Sequence, residues 1–241
     1  MTGPLRAECA LTFRTLGRLP GFWVPTVLFP AMLYAFFGAQ GAEEWAANAM
    51  ASFAVYAVLG VGFFQFGVSV AQDRESPFAK WQQTLPCHAG NQWIAGVLAS
   101  LVFVTVAVAL VVALAFALDR VEVGAAALLR LSLVCLIASF TATFMGIALG
   151  SLASARAAVP LANLIFLPLA YLGGLWVPPM ALPSAVNVVS QWTPTRAMGE
   201  LGWAAIAGTR WDPGYLAVLA GWTVISVAVV VVAQARHRRY E

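Results

Sequence analysis

The chain has 241 residues, 61% of them hydrophobic and 10% charged, with a mean hydropathy of +0.84. A soluble domain carries about 25% charge, so this composition excludes a water-soluble fold and describes a single polytopic membrane domain over residues 1–241. The net charge of +3 and pI near 9.0 do not require nucleic acid, because the basic residues lie between apolar segments and at the ends, where positive-inside topology places them.

Residues 4–19 predict an amphipathic helix lying in the membrane interface. Leu5, Cys9, Thr12, Phe13 and Leu16 share one face, Arg6, Arg14 and Arg18 lie away from it, and Leu11 is the misfit. Leu19-Pro20-Gly21 then turns the chain into the bilayer. The first span covers 22–37, short and holding Pro25 and Pro30; a cleavable signal ending near Ala39-Gln40-Gly41 is the alternative. Further spans follow at 45–70, 93–118, 128–152, 159–177 and 215–232, most near or above the roughly 20 residues a crossing helix needs. The expected fold is all-α with six transmembrane helices.

The longest polar interruption is 73–86, between spans two and three. Ser76 suits an N-cap and Pro77 the first helical position. Phe78, Trp81 and Leu85 then fall at i, i+3 and i+7 on one face, and Pro86 marks the end. Such a helix needs either the bilayer surface or a partner protein to cover it, and the partner is the reading adopted. Residues 178–210, between spans five and six, are too long and apolar for an ordinary loop. Two short helices, capped by Ser184 and Thr195, predict a re-entrant outer hairpin whose backbone must be covered by protein or water. On the second of them Arg196 and Glu200 are i, i+4 and close enough to pair.

With both termini on one side, that side holds Arg6, Arg14, Arg18, Arg74, Lys80, Arg156, Arg236, Arg238 and Arg239. The other side holds Arg120, Arg130, Arg196 and Arg210. Nine against four places both termini and the 73–86 region in the cytoplasm.

Several chemistries have no residues to carry them. A Walker A loop needs Gly-Lys followed by Ser or Thr, and the one lysine, Lys80, stands between Ala79 and Trp81. No expected span holds Asp, Glu or His, the residues on which ion-coupled carriers rely; Glu200 is the one carboxylate at plausible depth. His88 and His237 form no HExxH, and Cys87-His88 supplies no tetrahedral metal set. Cys9, Cys87 and Cys135 are isolated, so no disulfide framework is implied. Ser69 sits in Gly67-Val68-Ser69-Val70-Ala71, which lacks the last glycine of a nucleophile elbow and reads as packing. The energy for any movement is expected from another subunit.

In the fourth span Ser139, Thr143, Gly146, Gly150 and Ser154 line one face, with Gly146 and Gly150 forming a GxxxG. Small residues let backbones approach closely in lipid. This seam packs within one subunit or faces substrate or a second subunit. Gln65 and Asn163 are uncharged polar residues in hydrocarbon, each expected to hydrogen-bond to a neighbouring helix or to touch substrate.

Three features in order resemble the integral-membrane subunit of an ATP-binding-cassette exporter of the type-two permease superfamily. They are the elbow helix before the first span, and Asp73-Arg74-Glu75 leading through Thr84-Leu85-Pro86 into the third span. The third is the run Gly173-Gly174, Val177-Pro178-Pro179, Leu182-Pro183, Trp192-Thr193-Pro194 and Glu200 before the final span. The family often has a Thr-Pro pair where this chain has Leu85 intervening. The resemblance implies a cytoplasmic-membrane core of two permease copies, a homodimer or a heterodimer, with two cytoplasmic ABC ATPase subunits. ATP and magnesium would bind on those subunits and no cofactor on this chain. It further implies a coupling helix over about 76–85 that sits in the ATPase groove, with Asp73, Arg74 and Glu75 at its charged approach. The cargo would be hydrophobic or amphiphilic: a drug, a lipid or a lipid-linked glycan. An ion-coupled carrier using Glu200, and an assembly subunit without a path of its own, are the other classes open.

Overall fold

The computed structural model describes residues 3–18, 20–38, 43–76, 89–118 and 121–237. Its ordered elements are helices, in chain order α1 (Gly3–Gly17), α2 (20–38), α3 (43–75), α4 (Ala89–Ala117), α5 (Ala125–Leu152), α6 (Ala158–Leu172), α7 (Ser184–Ser190), α8 (Pro194–Ala207) and α9 (Pro213–His237). All six apolar segments are thus helical. By length and hydropathy four qualify as crossings, namely Trp45–Glu75, Ile94–Ala117, Ala125–Leu152 and Pro213–Ala235. The apolar parts of α2 and α6, Thr26–Gly38 and Ala158–Leu172, are shorter. The expected fifth span, 159–177, stops at Leu172 because Gly173 and Gly174 follow, and Gly174 has a φ of +73° that ends a helix. Its 15 residues reach about 22 Å, less than the ~30 Å of a hydrocarbon core.

Two helices depart from regular α geometry for visible reasons. In α2, π-helical runs at Val24–Leu28 and Tyr34–Gly38 flank the stretch that holds Pro30, and Pro25 opens the first of them. Proline removes a backbone donor and crowds the preceding turn, and a wider turn accommodates it. In α3, Gly62–Val68 is π-helical and almost wholly buried. Two of its glycines face α5.

The bundle is built around α3. Of the apolar stretch of α3 83% is buried inside the chain, against 17% for α9, so α3 is central and α9 peripheral. Lipid gives no hydrophobic gain for pressing helices together, so close van der Waals contact is what contributes. Where α3 crosses α5 that contact is between backbones. A Cβ on Gly62 would lie 2.6 Å from the Ala142 carbonyl carbon, and one on Gly150 would lie 2.5 Å from the Gly67 carbonyl oxygen. A Cβ on Gly146 would overlap the Gly62 carbonyl outright. Aromatic rings join α6 to the same helix, with Tyr56 and Phe166 centroids 4.7 Å apart and Phe63 and Phe166 6.0 Å apart.

Helix α1 uses the face that its sequence marks. Leu16 is buried beside Ala99, and Phe13 lies 6.4 Å from Phe103, so the face docks on α4. Leu11, the misfit, is 50% exposed.

Candidate functional site

Three places inherit the residues that the sequence singles out: the end of α3, its seam with α5, and the hairpin beyond α6. Of the expected coupling residues, Phe78, Trp81 and Leu85 lie outside the described residues. Ser76 takes φ −71° and ψ 130°, the extended geometry that suits both an N-cap and a residue before proline.

The charged end of α3 turns towards the α5–α6 corner. The Arg74 guanidinium donates from Nη1 to the Gly150 carbonyl at 3.1 Å and the Ser151 carbonyl at 2.5 Å. Both belong to the last turn of α5, where carbonyls have no partner within the helix and the dipole is negative. Glu75 Oε1 accepts from the Ala155 amide at 3.0 Å, in the link to α6. A cation thus meets carbonyls and an anion meets an amide. Asp73 is exposed beside them.

Along the seam, Gly146 and Gly150 pack on α3, as the small-residue pattern anticipates for packing within one subunit. Ser139 is buried, and its hydroxyl donates to the Leu136 carbonyl of its own helix. Thr143 is half-buried. The neighbouring Thr141 reaches α9 through the Thr223 hydroxyl at 2.9 Å. Gln65, in the π-helical run, donates from Nε2 to the Gly96 carbonyl of α4 at 3.1 Å, the expected bond across helices. Its Oε1 is buried with no hydrogen-bond partner among the described residues. Asn163 differs from expectation. It bonds the Val159 carbonyl one turn back on its own helix.

The segment beyond α6 buries a cluster of polar groups, Ser190, Thr193, Thr195 and Arg196. Thr193, not Thr195, caps α8, its Oγ1 accepting from the Arg196 amide at 3.2 Å. Pro194 at the first position fixes the cap one residue before it. Thr195 instead donates to the Leu169 carbonyl at 2.6 Å and rests where Gly173 leaves room, tying α8 to α6. Ser184 opens α7 without capping it, Pro183 standing at the cap position. The buried face of α8 meets α3 and α5, with Gly202 beside Ala51, Val55 and Leu131.

On this frame Arg196 is 7% exposed and held by three side chains. Its Nε donates to Glu200 Oε1 at 2.8 Å, and its Nη1 donates to Asn187 Oδ1 at 3.2 Å and Ser190 Oγ at 3.3 Å. The guanidinium also lies over Trp203, 5.8 Å from the ring centroid. Trp203 in turn donates to Ser52 Oγ at 2.9 Å, on α3, and its ring stands 6.3 Å from Trp45. These groups border a cleft of about 410 Å³ with Asn48, Pro179 and Met180. The i, i+4 spacing reveals the pair; Trp203, three residues beyond Glu200 on the same face, carried the same signal. Asn187, Ser190, Asn48 and Trp45 had none. The α8 terminus is closed by another arginine: Arg130 donates to the Thr209 carbonyl and lies 5.6 Å over Trp211.

Among the described residues none of the three places pairs a nucleophile with a base, and no group of His, Cys, Asp and Glu could hold a metal ion. The arrangement is one of helices tied to one another through side chains and backbone.

The comparisons with known proteins agree with this character. Residues 22–234 match the family described as "ABC-2 family transporter protein". The chain is 19% identical over 189 residues to "Putative transport permease YvfS" of Bacillus subtilis (strain 168), covering 76% of this chain and 77% of that one. No solved structure matches it. Members of the family generally work with a partner ATPase subunit. With the family matched over most of its length and helices apolar enough to cross a bilayer, the chain belongs to the ABC-2 transporter family and is a membrane-spanning permease subunit.

Proposed function

We propose that this permease is the transmembrane half of an ATP-driven exporter, moving a hydrophobic or amphiphilic substrate out of the cytoplasm with energy from a separate ATPase. The observation that carries this reading is the family match over 22–234 in a chain whose one lysine lies in no Walker A loop. The membrane core is two copies of this chain, with two ATPase subunits below it. It lies in the cytoplasmic membrane with both termini and the 73–86 region inside, which the nine-to-four charge bias supports. All six apolar segments cross, α1 is the interfacial elbow, and 178–210 is the outer hairpin. A hairpin in the outer leaflet needs its backbone covered by protein, and the burial of α8 against α3 and α5 supports that reading. An ion-coupled carrier is disfavoured because Glu200, its one candidate, is already paired with Arg196.

Asp73, Arg74 and Glu75 introduce the coupling helix, and Phe78, Trp81 and Leu85 are its docking face on the ATPase. A buried tryptophan anchors many interfaces, contributing ~2 kcal/mol or more, so Trp81 carries most of the contact. The parent chain should co-purify with an ATP-hydrolysing subunit in equal number. Trp81→Glu should insert normally and lose that subunit; retention at the parent ratio would refute the docking face. A membrane-impermeant thiol reagent should label Cys87 in inside-out vesicles and not in intact cells. A Glu43→Cys variant should behave oppositely, and labelling of both sites from one side rejects the topology.

A further inference from the structure

The contacts of Arg74 and Glu75 have a mechanical meaning beyond docking. These residues immediately precede the segment that enters the coupling region, so any displacement of that segment reaches them at once. Neither side chain is fastened to its own helix alone. Arg74 holds the Gly150 and Ser151 carbonyls, and Glu75 holds the Ala155 amide, 76, 77 and 80 residues away in sequence. The three bonds straddle the corner between α5 and α6, the two of Arg74 before Ala153 and that of Glu75 after it, where α5 ends. Behind them, Gly62, Gly67, Gly146 and Gly150 already press the two backbones together. Interfaces of this tightness do not deform continuously; they move as units or repack.

We propose that Arg74 and Glu75 are positioning residues that latch the end of α3 to the α5–α6 corner. Movement of the coupling region is then delivered to the fourth and fifth helical segments together with α3. This inference rests on the reading that residues 76–85 dock on the ATPase. It differs from that reading in assigning the charged triplet's second and third members to an internal bond rather than to the partner. Without the latch, α3 still moves with the ATPase and the α5–α6 corner stays behind.

The test uses the permease–ATPase complex in lipid nanodiscs, in a background with Cys9, Cys87 and Cys135 replaced by alanine. Single spin labels are placed at Gln72→Cys, on exposed α3, or at Leu152→Cys, which is 70% exposed at the end of α5. Each reports the distance between the two copies, without nucleotide and after trapping with ATP and vanadate. In the parent both distances shift. In Arg74→Ala/Glu75→Ala the Gln72 distance shifts as before and the Leu152 shift is lost, with the ATPase still bound. Arg74→Lys, which keeps one charged donor for the same carbonyls, retains the Leu152 shift. On the chain alone, Glu75→Ala makes the Ala155 amide exchange with solvent about tenfold faster. A Leu152 shift that survives the double variant, or an Ala155 amide that exchanges at the parent rate, overturns the latch and leaves the docking reading standing. A Gln72 distance that never shifts in the parent overturns the docking reading and the latch with it.

Discussion

An arginine stands near each end of α3, Arg196 across a cleft from Trp45 and Asn48 and Arg74 at the other end, and the two work in different surroundings. At the hairpin end Arg196 is buried and answers to side chains, those of Glu200, Asn187 and Ser190, with the Trp203 ring beneath it. At the other end Arg74 is exposed and its bonds to Gly150 and Ser151 go to backbone carbonyls. A buried guanidinium needs a counter-charge, since leaving it alone in a dry setting costs several kcal/mol, whereas an exposed one is solvated whether or not it bonds. The hairpin end is therefore a stability element and the coupling end a directional one. Losing Arg196 should cost the fold, while losing Arg74 should cost the linkage and leave the fold nearly intact.

The largest expected effect lies between these ends, in the seam that both depend on. Gly146→Leu drives a side chain into the Gly62 backbone, where relief requires the helices to separate. It should destabilise the folded chain by about 4 kcal/mol or more, read as denaturant unfolding in mixed micelles. A parent-like midpoint would mean that the seam is not the shared spine of the two ends. Next comes the buried pair. Arg196→Ala should cost about 2–3 kcal/mol, a figure lowered from that for a fully buried pair because Glu200 is 28% exposed. Arg196→Ala/Glu200→Ala should cost less than the sum of the single variants, because removing both leaves no unpaired charge. Additive losses would show two independent residues rather than a pair. Smallest is Arg74→Ala, at about 1 kcal/mol or less, since its charged hydrogen bonds compete with water. If the Arg74 and Arg196 variants unfold at the same midpoint, the division between the two ends falls.

Much of the fold is legible in the sequence because hydropathy records burial in lipid directly. All six apolar segments are helices, and the charged face of α1 points away from α4 as its arginines require. Length and hydropathy alone mark four of the six as crossings, since α2 and α6 carry the shorter apolar runs, and the six-crossing topology is a proposal beyond them. Composition also cannot show how turns are wound. Gly62, Gln65 and Gly67 look like ordinary span residues, and their π-helical winding comes with contacts to α5 and α4 that no local pattern marks. Thr193 and Thr195 are both good caps, and Pro194 selects the residue before it. Asn163 shows the opposite limit, since a lone amide can satisfy itself one turn back and needs no neighbour. At the site, Arg196 and Glu200 were legible from i, i+4 spacing. The Arg74 contacts were not, because nothing local announces a partner 76 residues away.

The π-helical run of α3 has a consequence for how this chain can change over time. A π turn holds one residue more than the α turn that it replaces, so it is an insertion accommodated without lengthening the helix much. Gly62 and Gly67, five residues apart, therefore both meet α5, where Gly146 and Gly150 are four apart. The wider winding absorbs the extra residue within the run, so the turns on either side keep their phase and Arg74 and Glu75 still reach Gly150, Ser151 and Ala155. Replacing Gly62 or Gly67, whose missing side chains let the run lie on α5, should be tolerated far less well than conservative replacement of the residues between them.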